Sequence, residues 1–97
     1  MKTKIYQIGL ESGYAFMNYE YAKDLIDMED YTLVAECTPI DAKDVNSALD
    51  EIYWLGNNGT LAKIFKMRSI SVSDIIEIDG TEYYVDSFGF KKLEGGE

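Results

Sequence analysis

Carboxylates are the side chains through which this chain could do chemistry, because the other common catalytic groups are scarce. The sequence has no histidine and a single cysteine, Cys37, which excludes Ser-His and Cys-His pairs and any zinc site built on paired cysteines. No histidine is therefore available to activate Ser73 or Ser87 as a nucleophile. A glycine-rich phosphate-binding motif is also missing. The densest groups of carboxylates are Asp27, Glu29 and Asp30 and, one helical turn apart, Asp41 and Asp44.

These carboxylates have a catalytic and a structural interpretation. If several converged on one ion, they could bind Mg²⁺ and support cleavage of a phosphodiester bond. Their spacing, however, matches no nuclease motif. Asp41 and Asp44 precede an amphipathic segment and are better explained as helix caps, and the others as a solvated helix face. We therefore expect no catalytic residue, no metal site and no cofactor.

The charge of the chain is strongly negative and unevenly distributed. Eighteen acidic and nine basic residues give a net charge of −9. Ten of the acids lie between Glu20 and Glu51, whereas residues 52–72 contain three basic residues and no acid. Direct binding of nucleic acid is not expected, because phosphate contacts require clustered lysines and arginines. The surface instead suits a partner protein that is basic.

The carboxylates around the first predicted helix are the main candidates for contact with such a partner. They are Glu20, Asp24, Asp27, Glu29 and Asp30, and the secondary candidates are Asp50 and Glu51. Three tyrosines, Tyr14, Tyr19 and Tyr21, lie beside this acidic group. Their rings would suit a protein interface, or they would complete the core with only the hydroxyls reaching water. The sequence leaves both interpretations open.

An α+β fold is predicted to position these residues. Alternating apolar residues indicate strands over about residues 3–9 and 31–38, and Pro39 ends the second. A short helix is predicted over residues 18–28, with its acidic residues facing water. The clearest amphipathic helix carries apolar residues at i, i+3, i+4 and i+7, namely Val45, Ala48, Leu49 and Ile52. It ends at the turn-forming residues 56–59.

The last third of the chain predicts a β-hairpin with a turn at Asp79-Gly80. Gly89 permits a bulge or tight bend, and one of its two neighbours, Phe88 or Phe90, is expected to anchor the final strand in the core. Residues 60–67 fit either a helix or an edge strand. Together the elements predict an antiparallel or mixed sheet of about four to five strands with two helices. Residues 1–93 are expected to form one domain, followed by a flexible tail at 94–97.

Residues 71–90 resemble the closing motif of YodL-like domains. Ser-Val-Ser-Asp-Ile-Ile is followed by Asp-Gly and then by Tyr-Tyr-Val-Asp-Ser-Phe-Gly-Phe, a spacing that hairpin geometry alone does not dictate. Residues 4–8 look like the opening strand of the family, and residues 31–34 and 49–53 resemble its central strand and second helix. The resemblance implies a small protein of bacterial plasmids, phages or integrative elements. Some small proteins similar to this family are type II-A anti-CRISPR proteins, which inhibit Cas9.

The charge and the resemblance together imply a counter-defence protein that is not an enzyme. Its expected partner is a basic host protein, Cas9, and its acidic surface would block guide-RNA loading or DNA engagement. Two alternatives stay open: a Mg²⁺-dependent nuclease that acts on guide RNA, and a regulatory module that binds another protein of the element. Restriction enzymes are a further target that an acidic surface would suit for the same physical reason.

We expect a cytoplasmic location in the bacterial host, because the single cysteine cannot form an internal disulfide. The sequence shows neither a signal-peptide pattern nor an apolar run of about 18 residues, so no membrane association is expected. The edge of the hairpin permits dimerisation but does not require it.

Overall fold

The structure is a computed structural model that describes residues 1–93. Within that range the chain forms a five-stranded sheet, three α-helices and one 3₁₀ turn. The strands are β1 (Thr3–Ile8), β2 (Tyr31–Cys37), β3 (Ile75–Ile78), β4 (Thr81–Val85) and β5 (Phe90–Lys92). The helices are α1 (Tyr19–Ala22), α2 (Val45–Asn57) and α3 (Thr60–Ile64), and the 3₁₀ turn is Met28–Asp30.

The strands are ordered β2-β1-β3-β4-β5, and each neighbouring pair is antiparallel. The predicted α+β class and the C-terminal hairpin are confirmed, and the sheet is the antiparallel one of the two predicted types. The predicted flexible tail, residues 94–97, lies outside the described residues.

Successive side chains of a strand point to opposite faces of the sheet. Because both faces are covered, neighbouring strand residues belong to two different hydrophobic cores. In β3, Ile76 belongs to the first core and Ile75 to the second; in β4, Val85 belongs to the first and Tyr84 to the second. We call these the first and the second face of the sheet. Helices α2 and α3 cover the first face with Ala48, Leu49, Ile52 and Leu61. The segment between β1 and β2 covers the second face with Tyr14 and Ala22.

Helix α2 forms where the sequence predicts it. The Asp44 carboxylate accepts a hydrogen bond from the Ser47 amide at 2.8 Å, which is the predicted N-cap. The buried Gly56 allows the chain at Ile70 to approach closely, because a Cβ at position 56 would overlap the Ile70 side chain. Gly56, although glycine disfavours helices, is therefore suited to its place in α2, because a larger residue would clash with Ile70.

The C-terminal hairpin depends on backbone conformations that few residues adopt. Asp79 and Gly80 both have positive φ, 50° and 90°, as in the type I′ turns that join twisted antiparallel strands. Gly89, with φ of 76°, then turns the chain from β4 into β5. Of the two predicted anchors, Phe90 takes the role, because its ring packs edge-on to Tyr53 with the centroids 6.0 Å apart. Phe88 is 94% exposed.

The first predicted helix is much shorter than residues 18–28, because α1 ends at Ala22. Two side chains divide the segment. Asn18 caps α1 by accepting from the Tyr21 amide, and Asp27 adopts an extended conformation and caps the 3₁₀ turn by accepting from the Glu29 amide. Short polar side chains offer the backbone an alternative to helical hydrogen bonds. Leu25 lies beyond the end of α1 and is half exposed.

Candidate functional site

The acidic segment, residues 20–30, lies over the second face of the sheet. Its carboxylates differ in whether they make hydrogen bonds or ion pairs to other residues. Asp24 and Glu29 are exposed, and neither side chain makes a hydrogen bond or ion pair to another residue in the range 1–93. Glu20 pairs with Lys23 at 3.1 Å on the surface, where such a pair contributes little stability. These three carboxylates are therefore available to a partner at little cost to the fold.

The other two carboxylates of the acidic segment have structural roles. Asp27 caps the 3₁₀ turn, and Asp30 accepts a hydrogen bond from the Tyr14 hydroxyl at 2.9 Å. That hydroxyl in turn accepts from the Asp27 amide at 3.0 Å. The ring of Tyr14 is buried, and this burial raises the pKa of its hydroxyl. Tyr14 thus joins the end of the acidic segment, at Asp27 and Asp30, to the core.

The two secondary candidates lie on α2, which covers the opposite face of the sheet. Asp50 is exposed and lines a cleft with Tyr53 and Asp86. Glu51 holds the connection from β2 to α2, because its two oxygens accept from the amides of Ile40, Asp41 and Ala42 at 2.6, 3.1 and 3.0 Å. The seven predicted contact residues therefore do not form one continuous surface, and Glu51 already uses both of its oxygens.

Glu51 should make the stability of this connection depend on pH. Its three hydrogen bonds, above all the one from Ile40, hold the pKa of its carboxyl below the usual range. A lowered folded-state pKa means that the contribution is present above the ordinary value of Glu and is lost as pH falls through the lowered value. We expect Glu51→Ala to unfold at a lower urea concentration than the wild type at neutral pH, and the difference to shrink as the pH is lowered below the ordinary pKa of a glutamate.

Asp50→Ala is the matched control for this measurement, since it removes a neighbouring carboxylate that makes no backbone hydrogen bond in residues 1–93. At neutral pH it should not lower the unfolding midpoint, because alanine favours a helix interior more than aspartate does. An equal loss for Glu51→Ala at neutral and acid pH would show that packing of the side chain, and not its charge, holds the connection.

The tyrosines divide between the two interpretations that the sequence left open. Tyr14 is a core residue, and Tyr19 packs edge-on to the buried Tyr84 with the centroids 5.7 Å apart. Tyr21 is exposed on α1 beside the free carboxylates. The core interpretation therefore holds for Tyr14 and Tyr19, and the interface interpretation is left to Tyr21.

The most buried carboxylate among residues 1–93, Asp74, is not among the contact residues predicted from the sequence. Asp74 is 0% exposed and accepts from the Ser71 amide at 2.9 Å, the Gln7 side-chain amide at 3.1 Å and the Ile8 amide at 3.3 Å. Burial raises the pKa of Asp74, so these donors offset only part of the cost of burying a charge. The side chain ties β1 to the entrance of β3 and has a structural role.

Neither a metal cluster nor a membrane span is visible in the described part of the chain. Among residues 1–93, no three acidic or cysteine side chains lie close enough together to hold a metal ion. No helix in that range combines the length and the apolar composition needed to cross a membrane.

Comparison with known proteins gives one result. A family model described as YodL-like domain matches residues 2–95, which is almost the whole chain. No curated protein and no solved structure matches the chain significantly.

Proposed function

The chain belongs to the YodL-like domain family, and on this basis we propose that it is a counter-defence protein of a bacterial mobile element that inhibits type II-A Cas9. In this proposal the protein is not an enzyme and works in the cytoplasm of the host. It binds Cas9 through its acidic surface and blocks guide-RNA loading or DNA engagement.

The observation that carries the proposal is the set of free carboxylates on the acidic segment. Asp24 and Glu29 make no hydrogen bond or ion pair to another residue in the range 1–93, and Glu20 pairs with Lys23 at the surface. The net charge of the chain is −9. Exposed charges of one sign speed the encounter with a partner of opposite charge and favour that partner over others.

A basic nucleic-acid channel is the surface that matches these charges. RNA-guided nucleases hold their guide and target strands in a positively charged channel and recognise mostly the backbone phosphates. Carboxylates offered to the same lysines and arginines would compete with those phosphates. The same charge opposes binding of the protein to RNA or DNA itself. Competition for the channel therefore accounts for inhibition without any catalytic group.

Target-DNA cleavage by Cas9 tests the proposal when the protein is added either before or after the guide RNA. The guide from each reaction is also analysed by electrophoresis. Inhibition with an intact guide supports the proposal: inhibition only when the protein is added first assigns the block to guide loading, and inhibition in both orders assigns it to DNA engagement.

Two other outcomes would contradict the proposal. A shortened guide that is protected by chelation of Mg²⁺ would establish the nuclease alternative. Uninhibited cleavage in both orders would favour the other alternative, a regulatory module that binds another protein of the element.

A further inference from the structure

We propose that Phe88 is the apolar anchor of the partner interface and inserts into an apolar pocket of the target that is surrounded by arginine or lysine side chains. This inference rests on the proposed function for the identity of the target. It goes beyond that function by naming a residue outside the acidic segment and the kind of pocket that receives it.

The fold itself gives Phe88 no role. The side chain is 94% exposed at the tip of the turn between β4 and β5, although its neighbour Phe90 packs on Tyr53. A phenylalanine ring that is transferred from water into an apolar pocket contributes binding free energy in proportion to its buried area. Aromatic residues in such positions often contribute most of the affinity of an interface.

The turn that carries Phe88 is held rigidly. Asp86 Oδ1 accepts from the Tyr19 amide at 3.0 Å and from the Ser87 amide at 2.8 Å, and the Asp86 amide donates to the Gly89 carbonyl at 3.0 Å. The first of these bonds joins the turn to α1, at the start of the acidic segment. The ring is thus displayed from a fixed backbone, so little conformational entropy of the turn is lost on binding.

The turn also lies where the two groups of predicted contact residues approach each other. One cleft of about 240 Å³ beside it is lined by Asp50, Tyr53, Asp86 and Ser87. A second cleft, of about 380 Å³, is lined by Glu20, Asp86, Ser87 and Phe88. The carboxylates of Glu20 and Asp50, which belong to opposite faces of the sheet, therefore flank the same turn.

The charges around Phe88 select the kind of partner. Glu20, Asp50 and Asp86 line the two clefts, and Lys91 is the single basic residue among their lining residues. An anionic membrane would be repelled by these carboxylates, and a second copy of the chain would bring like charges together. A protein pocket with an apolar floor and a basic rim complements both the ring and its surroundings.

Binding to guide-free Cas9 tests the anchor with Phe88→Ala and a matched control, Trp54→Ala. Trp54 is also an exposed aromatic residue, at 63%, but it lies on α2 and lines neither cleft. We expect Phe88→Ala to bind roughly 10- to 100-fold more weakly than the wild type, and Trp54→Ala to bind as the wild type does. Because both side chains are exposed, both variants should keep the wild-type unfolding midpoint.

If Phe88→Ala binds Cas9 as tightly as the wild type, the anchor is wrong while the proposed function stands. If the wild type does not bind Cas9, the proposed function is wrong and a second titration decides on the anchor. In that experiment the ¹⁵N-labelled protein is titrated with a synthetic peptide of alternating arginine and leucine, with a glutamate–leucine peptide as control.

Chemical-shift changes centred on Ser87, Phe88 and Gly89 with the arginine peptide alone would support the anchor. Changes centred on the acidic segment, or no changes, would overturn it. Sedimentation of the free protein completes the test. If the wild type is a dimer and Phe88→Ala is a monomer, then Phe88 binds a second copy of the chain, which would contradict the inference.

Discussion

Replacing Asp74 with alanine is expected to lower the free energy of unfolding by about 3–5 kcal/mol, because it removes the shared acceptor of three hydrogen-bond donors. One of them, the Gln7 side chain, keeps the Arg68 and Ser69 carbonyls as other acceptors. The donors are the amides of Ser71 and Ile8 and the side chain of Gln7. Small domains are stable by only about 5–15 kcal/mol, so the variant should be close to global unfolding. Urea unfolding followed by circular dichroism measures the loss.

Two further variants make this result specific. Asp74→Asn keeps one oxygen acceptor but places an amide donor where the second oxygen was, so its loss should fall between those of the wild type and Asp74→Ala. Asp24→Ala removes an exposed carboxylate without a hydrogen bond in residues 1–93 and should unfold as the wild type does. An Asp74→Ala protein as stable as Asp24→Ala would show that the buried network does not hold β1 to β3.

Reversing two free charges of the acidic segment, Asp24→Lys with Glu29→Lys, is expected to weaken inhibition of Cas9 roughly 10- to 100-fold. The two side chains are exposed and hold no other residue in the range 1–93, so the variant should keep its fold. If the acidic surface occupies a basic channel as proposed, each lysine replaces an attraction with a repulsion. The measurement is the concentration of protein that halves the rate of target cleavage.

The matched control reverses two exposed carboxylates outside the acidic segment, Glu36→Lys with Asp41→Lys. Both double variants change the net charge from −9 to −5, since each reversal adds two charges (−9 + 4 = −5). If the position of the charges on the surface matters, the control should inhibit nearly as well as the wild type. The half-inhibitory concentrations of the two variants should become similar at high salt, where exposed charges are screened. Equal inhibition by both variants at low salt would contradict a specific acidic surface.

The elements that sequence reasoning predicted well are those with local signals. Helix α2 has a capping aspartate, an apolar period and a glycine-asparagine end, and each signal acts within a few residues. The hairpin likewise follows from Asp79-Gly80, whose positive φ values set the turn. Such features can be read from a sequence because the interactions that fix them join near neighbours.

The elements predicted poorly depend on contacts between distant residues. In the acidic segment, the Tyr14 hydroxyl binds Asp27 and Asp30 across the loop and adds to the local caps at Asn18 and Asp27 that divide the predicted helix. The burial of Asp74 depends on β1, more than 60 residues away. The same limit applies to the candidate site. Asp50 and Glu51 are adjacent acids on one helix, yet only the fold shows that Glu51 binds three amides and that Asp50 is free.

The most direct test of the account measures whether the protein displaces nucleic acid from Cas9. Fluorescence anisotropy follows a labelled guide RNA on guide-free Cas9 and, separately, a labelled target DNA on guide-loaded Cas9, as the protein is added. We predict that the protein displaces at least one of the two, and that Asp24→Lys with Glu29→Lys does so only at much higher concentration. Guide and target that both stay bound at saturating protein would contradict the claim that an acidic surface occupies the channel.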